Sequence, residues 1–320
     1  MMNRESPTRH APRNGSVRKD SRPLFLYHKS MTVIVDAHQH FWIYGTYQTS
    51  WMDVPPYADD PVFTPIRRSF QPHDLWPEME AVGVGATITV EAADGVEENE
   101  ALLTHAHAHT WVAGVVGWVP LEQPDETARI LGILRGEPKF VGARHLVNVE
   151  PDPDWIVRED VIEGLQVLAS QGLVFDYVGI LPRHLGHVPT LAERIPSLRI
   201  VIDHIGKPPI ASREFEPWGM LLRRAAQAPN VYAKLSGLDA GKADRWSAAE
   251  LVSYVDHAIE VFGPERLMFG SDWPVAVVRG GYAKVWQETR TVLAGLSEEE
   301  RHQVFGGTAI RVYRLPIAIS

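Results

Sequence analysis

Cysteine is missing from this chain of 320 residues. Its absence excludes disulfide staples and every thiolate-built site, zinc ribbons and iron–sulfur clusters included. Any metal has to be held by His, Asp and Glu. Excess positive charge is missing too. The formal net charge is −9, which speaks against a general nucleic-acid binder. No run approaches the roughly 18–20 apolar residues of a membrane-spanning helix. With 45% hydrophobic and 22% charged residues, the composition is that of an ordinary globular protein.

Basic charge is concentrated at the start. Residues 1–30 hold Arg4, Arg9, Arg13, Arg18, Lys19, Arg22 and Lys29 against only Glu5 and Asp20. This Ser-, Pro- and Arg-rich stretch has no apolar period before Leu24 and reads as a disordered tail. It is a transit-like leader or an over-called start with Met31 as the initiator. Residues 31–320 then form the folded domain, with a cytoplasmic location as the expectation.

What is present is chemistry at the ends of apolar runs. Val33-Ile34-Val35-Asp36-Ala37-His38-Gln39-His40 begins as a buried strand and ends in two histidines. Side chains at i and i+2 of a strand share a face, so two imidazoles can aim at one point. Neutral imidazole is a ligand for zinc and similar ions. H-x-H alone is weak and also fits two incidental polar residues.

Seven more apolar runs follow: 86–91, 112–119, 140–147, 173–178, 198–204, 231–236 and 266–274. Helical segments separate them, among them 72–81 with Asp74 as N-cap, 99–110, 126–134, 160–170, 188–195, 217–227, 248–262 and 281–293, with a last at 298–304. The passage from Phe41 to Pro72 is long, aromatic and without a period, which marks a functional loop. His105, His107 and His109 share one helix, but i and i+2 on a helix face apart, so they read as packing or surface residues.

Eight strand–helix units predict a (β/α)8 TIM barrel, with a doubly wound open sheet as the runner-up. The polar residues favour the barrel. His38, His40, Glu91, Arg144 or His145, Asp176, His204, Lys234, Ser236 and Asp272 all fall at or near strand C-termini. A closed sheet brings those ends to one mouth. The candidate metal ligands are His38, His40, His204 and Asp272. One divalent metal, with Zn2+ expected, would lower the pKa of a bound water. Asp272 would take the proton as general base, beside His204. The candidate substrate contacts are Arg144, His145, Lys207, Trp42 and Glu91. For Glu91 a helix N-terminal charge is an equal reading.

These motifs carry a resemblance. Asp36-Ala-His-Gln-His-Phe-Trp42, Gly142-Ala-Arg-His145, Asp203-His-Ile-Gly-Lys-Pro208, Lys234-Leu-Ser-Gly237 and Arg266-Leu-Met-Phe-Gly-Ser-Asp-Trp-Pro274 are similar to the amidohydrolase superfamily. The likeness is to the branch with fuconolactonases, rhamnonolactonases and sulfomuconolactone hydrolases. It implies a distorted barrel that hydrolyses a small sugar-acid lactone or related cyclic ester. His38 and His40 would be first-strand ligands and Asp272 the acid that handles water. Two departures matter. Strand four has Arg144-His145 where dinuclear members carry a carboxylated lysine, which implies at most one metal. Strand five has Asp176 where many mononuclear members have histidine, which leaves His204 to serve. A mechanism without metal stays open, as does a homo-oligomer. A metal-dependent decarboxylase of the same superfamily is the alternative activity.

Overall fold

The computed structural model describes Met1 and residues 33–54, 57–238 and 245–317. The tail and domain boundary expected around residue 30 lie outside them. Eight parallel strands pair in sequence order. They are β1 (Val35–Gln39), β2 (Ala86–Val90), β3 (Val112–Gly117), β4 (Phe140–His145), β5 (Val174–Tyr177), β6 (Arg199–Ile202), β7 (Val231–Leu235) and β8 (Leu267–Phe269). Helices α1 (Pro72–Val82), α2 (Val96–Ala108), α3 (Pro124–Leu134), α4 (Glu159–Ser170), α5 (Pro182–Arg194), α6 (Trp218–Ala226), α7 (Ala248–Phe262) and α8 (Tyr282–Val292) follow the strands in turn. This is the (β/α)8 barrel.

The strands are apolar throughout because both their faces are covered. Val35, Ala37, Ile88, Val116, Val174, Val201 and Met268 fill the barrel interior. A second, larger layer packs the outer strand faces against the helices, with Leu75, Leu102, Leu165, Leu222 and Val255 among its members. Closure uses the segment after β8. Asp272 N donates to His38 O at 2.8 Å, and His40 N donates to Trp273 O at 2.7 Å.

Three local readings change. Asp74 is the third helical residue, not the cap. Gln71 is the N-cap, and the Asp74 carboxylate accepts from Gln71 N at 2.9 Å, which is a capping-box role. Helix α5 starts at Pro182, six residues before its expected start, because proline is at ease in a first turn. The final helix does not stop at 304. It runs from α9 (Glu298–His302) through a π turn at Gln303–Gly307 into α10 (Thr308–Tyr313). Gly306 explains the π turn: a Cβ there would meet Val33 O at 2.3 Å. That close approach lets α10 cap the barrel interior with Ala309, Ile310, Val312 and Tyr313.

Candidate active site

His38, on β1, points into the barrel and is fully buried. His40 follows just past the strand end. Their Nε2 atoms face each other at 3.2 Å. Asp272 sits after β8 at φ 58°, a left-handed backbone that turns its carboxylate inward. Its Oδ1 lies 3.7 Å from both Nε2 atoms. Its Oδ2 accepts from Arg279 Nη1 at 2.9 Å. One carboxylate oxygen is thus tied down, and the other faces the imidazoles.

The outer nitrogens are also held. His40 Nδ1 donates to Val90 O at 2.9 Å, which leaves Nε2 with a lone pair. His38 Nδ1 lies 3.1 Å from Lys234 Nζ and 3.2 Å from Asp203 Oδ1. Burial pushes His38 down to about 3, against the pull of Asp203. Burial also lowers His40 and His204. The rings are therefore neutral at neutral pH. Burial alone would raise Asp272. The positive charges of Lys207 and Arg279 work against it, and the carboxyl is held well below its usual range.

His204 is delivered after β6 by a run of left-handed backbone, φ 56° at His204 and 44° at Ile205. Its Nδ1 is 2.8 Å from Ser236 Oγ. The ring packs so closely on Gly237 that a Cβ there would meet Nδ1 at 2.4 Å.

The expected metal ligands do not form one cluster. Among the described residues they fall into two triads that share His38: His38, His40 and Asp272, and His38, Asp203 and His204. In the second, Lys234 Nζ already lies within 3.1 Å of both His38 Nδ1 and Asp203 Oδ1. The first fits a divalent cation. Two imidazole nitrogens on one tetrahedral ion at 2.0–2.1 Å stand about 3.3 Å apart, close to the His38–His40 spacing.

Above this floor opens a cavity of about 400 Å3. His40, Trp42, Arg144, His204, Lys207 and Asp272 line it, with Trp51, Tyr57 and Phe63 of the first loop as an aromatic wall. Two expected substrate contacts stand outside. The His145 ring faces away from the barrel interior, stacked on Trp155 with centroids 4.0 Å apart, and its Nε2 meets Glu150 at 2.7 Å. Its neighbour Arg144 takes the inward side, as strand alternation requires. Glu91 lies under the floor and accepts from Arg144 Nε at 2.6 Å. Arg144 also donates to Asp203 Oδ2 at 3.2 Å, so much of its fork is turned toward the protein.

Sequence reasoning gave no part to Arg279 or Asp203, and none to Lys234 beyond its strand end. Lys234 had a signal, a lysine inside an apolar strand run. Arg279 had none; it is seven residues past Asp272 in chain order and is brought back by a 3-10 turn. His105, His107 and His109 lie on or just past α2, away from the floor, and His107 pairs with Glu137. Replacing all three with Gln leaves turnover within about threefold, under 1 kcal/mol of barrier; steady-state kinetics checks this, and a hundredfold loss would overturn the strand-end reading.

An amidohydrolase family model matches residues 35–315. An L-fucono-1,5-lactonase of Burkholderia ambifaria is 37% identical over 290 residues, covering 89% of this chain and 97% of the relative. A crystal structure of an amidohydrolase from Burkholderia multivorans with bound zinc is similar at 34% identity and TM-score 0.78, covering 89% of this chain and all of that one. A 5-carboxyvanillate decarboxylase from Sphingomonas paucimobilis shares the architecture at 18% identity and TM-score 0.62, covering 89% of this chain and 99% of that one. With its barrel, its strand-end imidazoles and its last-strand aspartate, this chain belongs to the amidohydrolase family and is a hydrolase.

Proposed function

We propose that this enzyme opens a small sugar-acid lactone. The observation that carries the reading is Asp272: one oxygen is fixed by Arg279, the other is presented to the cavity floor beside two neutral imidazoles. The named activity of the Burkholderia ambifaria relative supports the substrate class. Water between Asp272 and the bound lactone attacks the ester carbonyl, and Asp272 Oδ1 takes its proton. The ring C–O bond then breaks, and the proton returns from Asp272 to the leaving oxygen. The product is the open hydroxy acid. His204, steadied by Ser236, offers a ring N–H to the carbonyl oxygen as charge develops. Lys207 supplies positive charge at the rim, and Trp42, Trp51 and Tyr57 cover the sugar face. His38, His40 and Asp272 would hold one Zn2+, which supplies Lewis acidity when bound.

The test is acid release from a panel of 1,5- and 1,4-sugar lactones, with metal content measured before and after chelation. Turnover of at least one sugar lactone is expected, with a fall on chelation that zinc restores. A zinc-loaded enzyme inactive on the whole panel would sink the reading. Carbon dioxide release from aromatic acids would move it to the decarboxylase alternative.

The pH profile gives a further check. A carboxylate held below its usual range stays ionised, and works as a base, down to its depressed pKa. Burial lowers the imidazole pKa values as well, so the rings are neutral at the ordinary histidine value of about 6.5. The acid limb of kcat is therefore expected below the ordinary histidine value of about 6.5, measured with a pH-stable lactone. A limb centred near 6.5, the ordinary histidine value, would contradict the assignment.

A further inference from the structure

At the side of His38 away from the cavity a chain of buried polar groups runs to the opposite end of the barrel. Tyr313, on the closing helix α10, donates its hydroxyl to Asp176 Oδ1 at 2.6 Å. The other Asp176 oxygen receives Lys234 Nζ. Lys234 Nζ in turn lies 3.0 Å from Asp203 Oδ1 and 3.1 Å from His38 Nδ1. His38, Asp176, Asp203 and Lys234 are fully buried, and Tyr313 is 2% exposed. The surroundings are apolar, with Val174, Val201, Met268 and Ile310 in the same interior cluster.

We propose that Tyr313 is a positioning residue for the active site, acting through Asp176 and Lys234 on His38. The physical argument starts at the far end. A buried carboxylate oxygen without a donor costs its full desolvation. Tyr313 is the donor that lets Asp176 keep both oxygens satisfied in an apolar interior. Asp176, so fixed, holds the ammonium of Lys234 beside Asp203. His38 Nδ1 then meets one donor and one acceptor at nearly equal distance. It is held whichever ring nitrogen carries the proton, and Nε2 stays aimed at His40 and Asp272. Partners at the outer nitrogen of a ligating imidazole set its orientation and basicity, and losing them costs 10–100-fold in metal affinity or activity. The closing helix, far from substrate, thereby becomes part of the catalytic apparatus.

The test is Tyr313→Phe, which removes one oxygen and keeps the ring. Three readouts are compared with the parent: the His38 imidazole 15N resonances, assigned with His38→Gln; Zn2+ affinity by chelator competition; and kcat and KM on a sugar lactone. The expected result is a move of the His38 resonances with those of His105 and His109 unchanged. Zn2+ affinity and kcat each fall about tenfold, and KM stays within about twofold. Unmoved His38 resonances with Zn2+ affinity within about twofold would overturn the proposal, whatever happens to the melting temperature. If Tyr313→Phe does not fold, Asp176→Asn breaks the next link and the same readouts decide. Only the kinetic arm rests on the lactonase reading. A parent inactive on every lactone would sink that reading and leave the resonance and zinc arms to decide this one.

Discussion

Asp272→Asn slows lactone turnover by at least 10²-fold, within the 10²–10⁴ typical of general-base loss. Asparagine keeps the shape and can still accept from Arg279, but it cannot take a proton from water. KM is expected to change far less, because in the proposed complex the cavity walls and Lys207 hold the substrate. The backbone at this position is left-handed, a conformation asparagine tolerates well, so the variant folds, and zinc content measured beside the kinetics separates a lost base from a lost metal. Steady-state kinetics on zinc-loaded protein checks it. Near-normal turnover would end the mechanism proposed above.

Arg144→Met is expected to cost stability on a similar scale of consequence. Its guanidinium reaches Glu91 at 2.6 Å and Asp203 at 3.2 Å, all three buried. Removing one partner of a buried pair strands the other charge, which costs about 3–5 kcal/mol. That is a large part of the roughly 5–15 kcal/mol that holds a domain folded. Urea unfolding measures it. Adding Glu91→Gln to the variant recovers part of the loss, because one of the stranded carboxylates is gone. A cost under about 1 kcal/mol would show that Arg144 is not needed to neutralise the floor.

The barrel was legible because its physics is written along the strands. Runs such as Ala86-Thr-Ile-Thr-Val90 are buried on both faces, which demands β-branched and apolar residues in nearly every place. Closure could be inferred from the polar residues on the first and last strands, and the structure brings His38, His40 and Asp272 to one floor. The pairing of Arg144 and His145 on one strand left open which faces inward, and alternation alone could not choose. The floor's partners were not legible. His204 joins His38 and Asp203 because the backbone turns left-handed through Ile205, and a β-branched residue at φ 44° has no pattern of its own. Tyr313 lies on a helix that the expected end at 304 left out. Its reach to Asp176 spans 137 residues of chain, and no local period records such a contact.

The join between the first and last strands has a consequence for how this enzyme fails. Strand β8 is three residues long, and the join is made largely by the amides of His40 and Asp272. The hydrogen bonds that shut the cylinder are the ones that aim the groups proposed to react. Local opening takes place where stability is lowest. A molecule that gapes along this line loses its alignment while the other strands stay zipped. In rising denaturant, catalysis should therefore vanish ahead of the helical circular dichroism signal. A copy opened along this seam would lose activity while it keeps its helices.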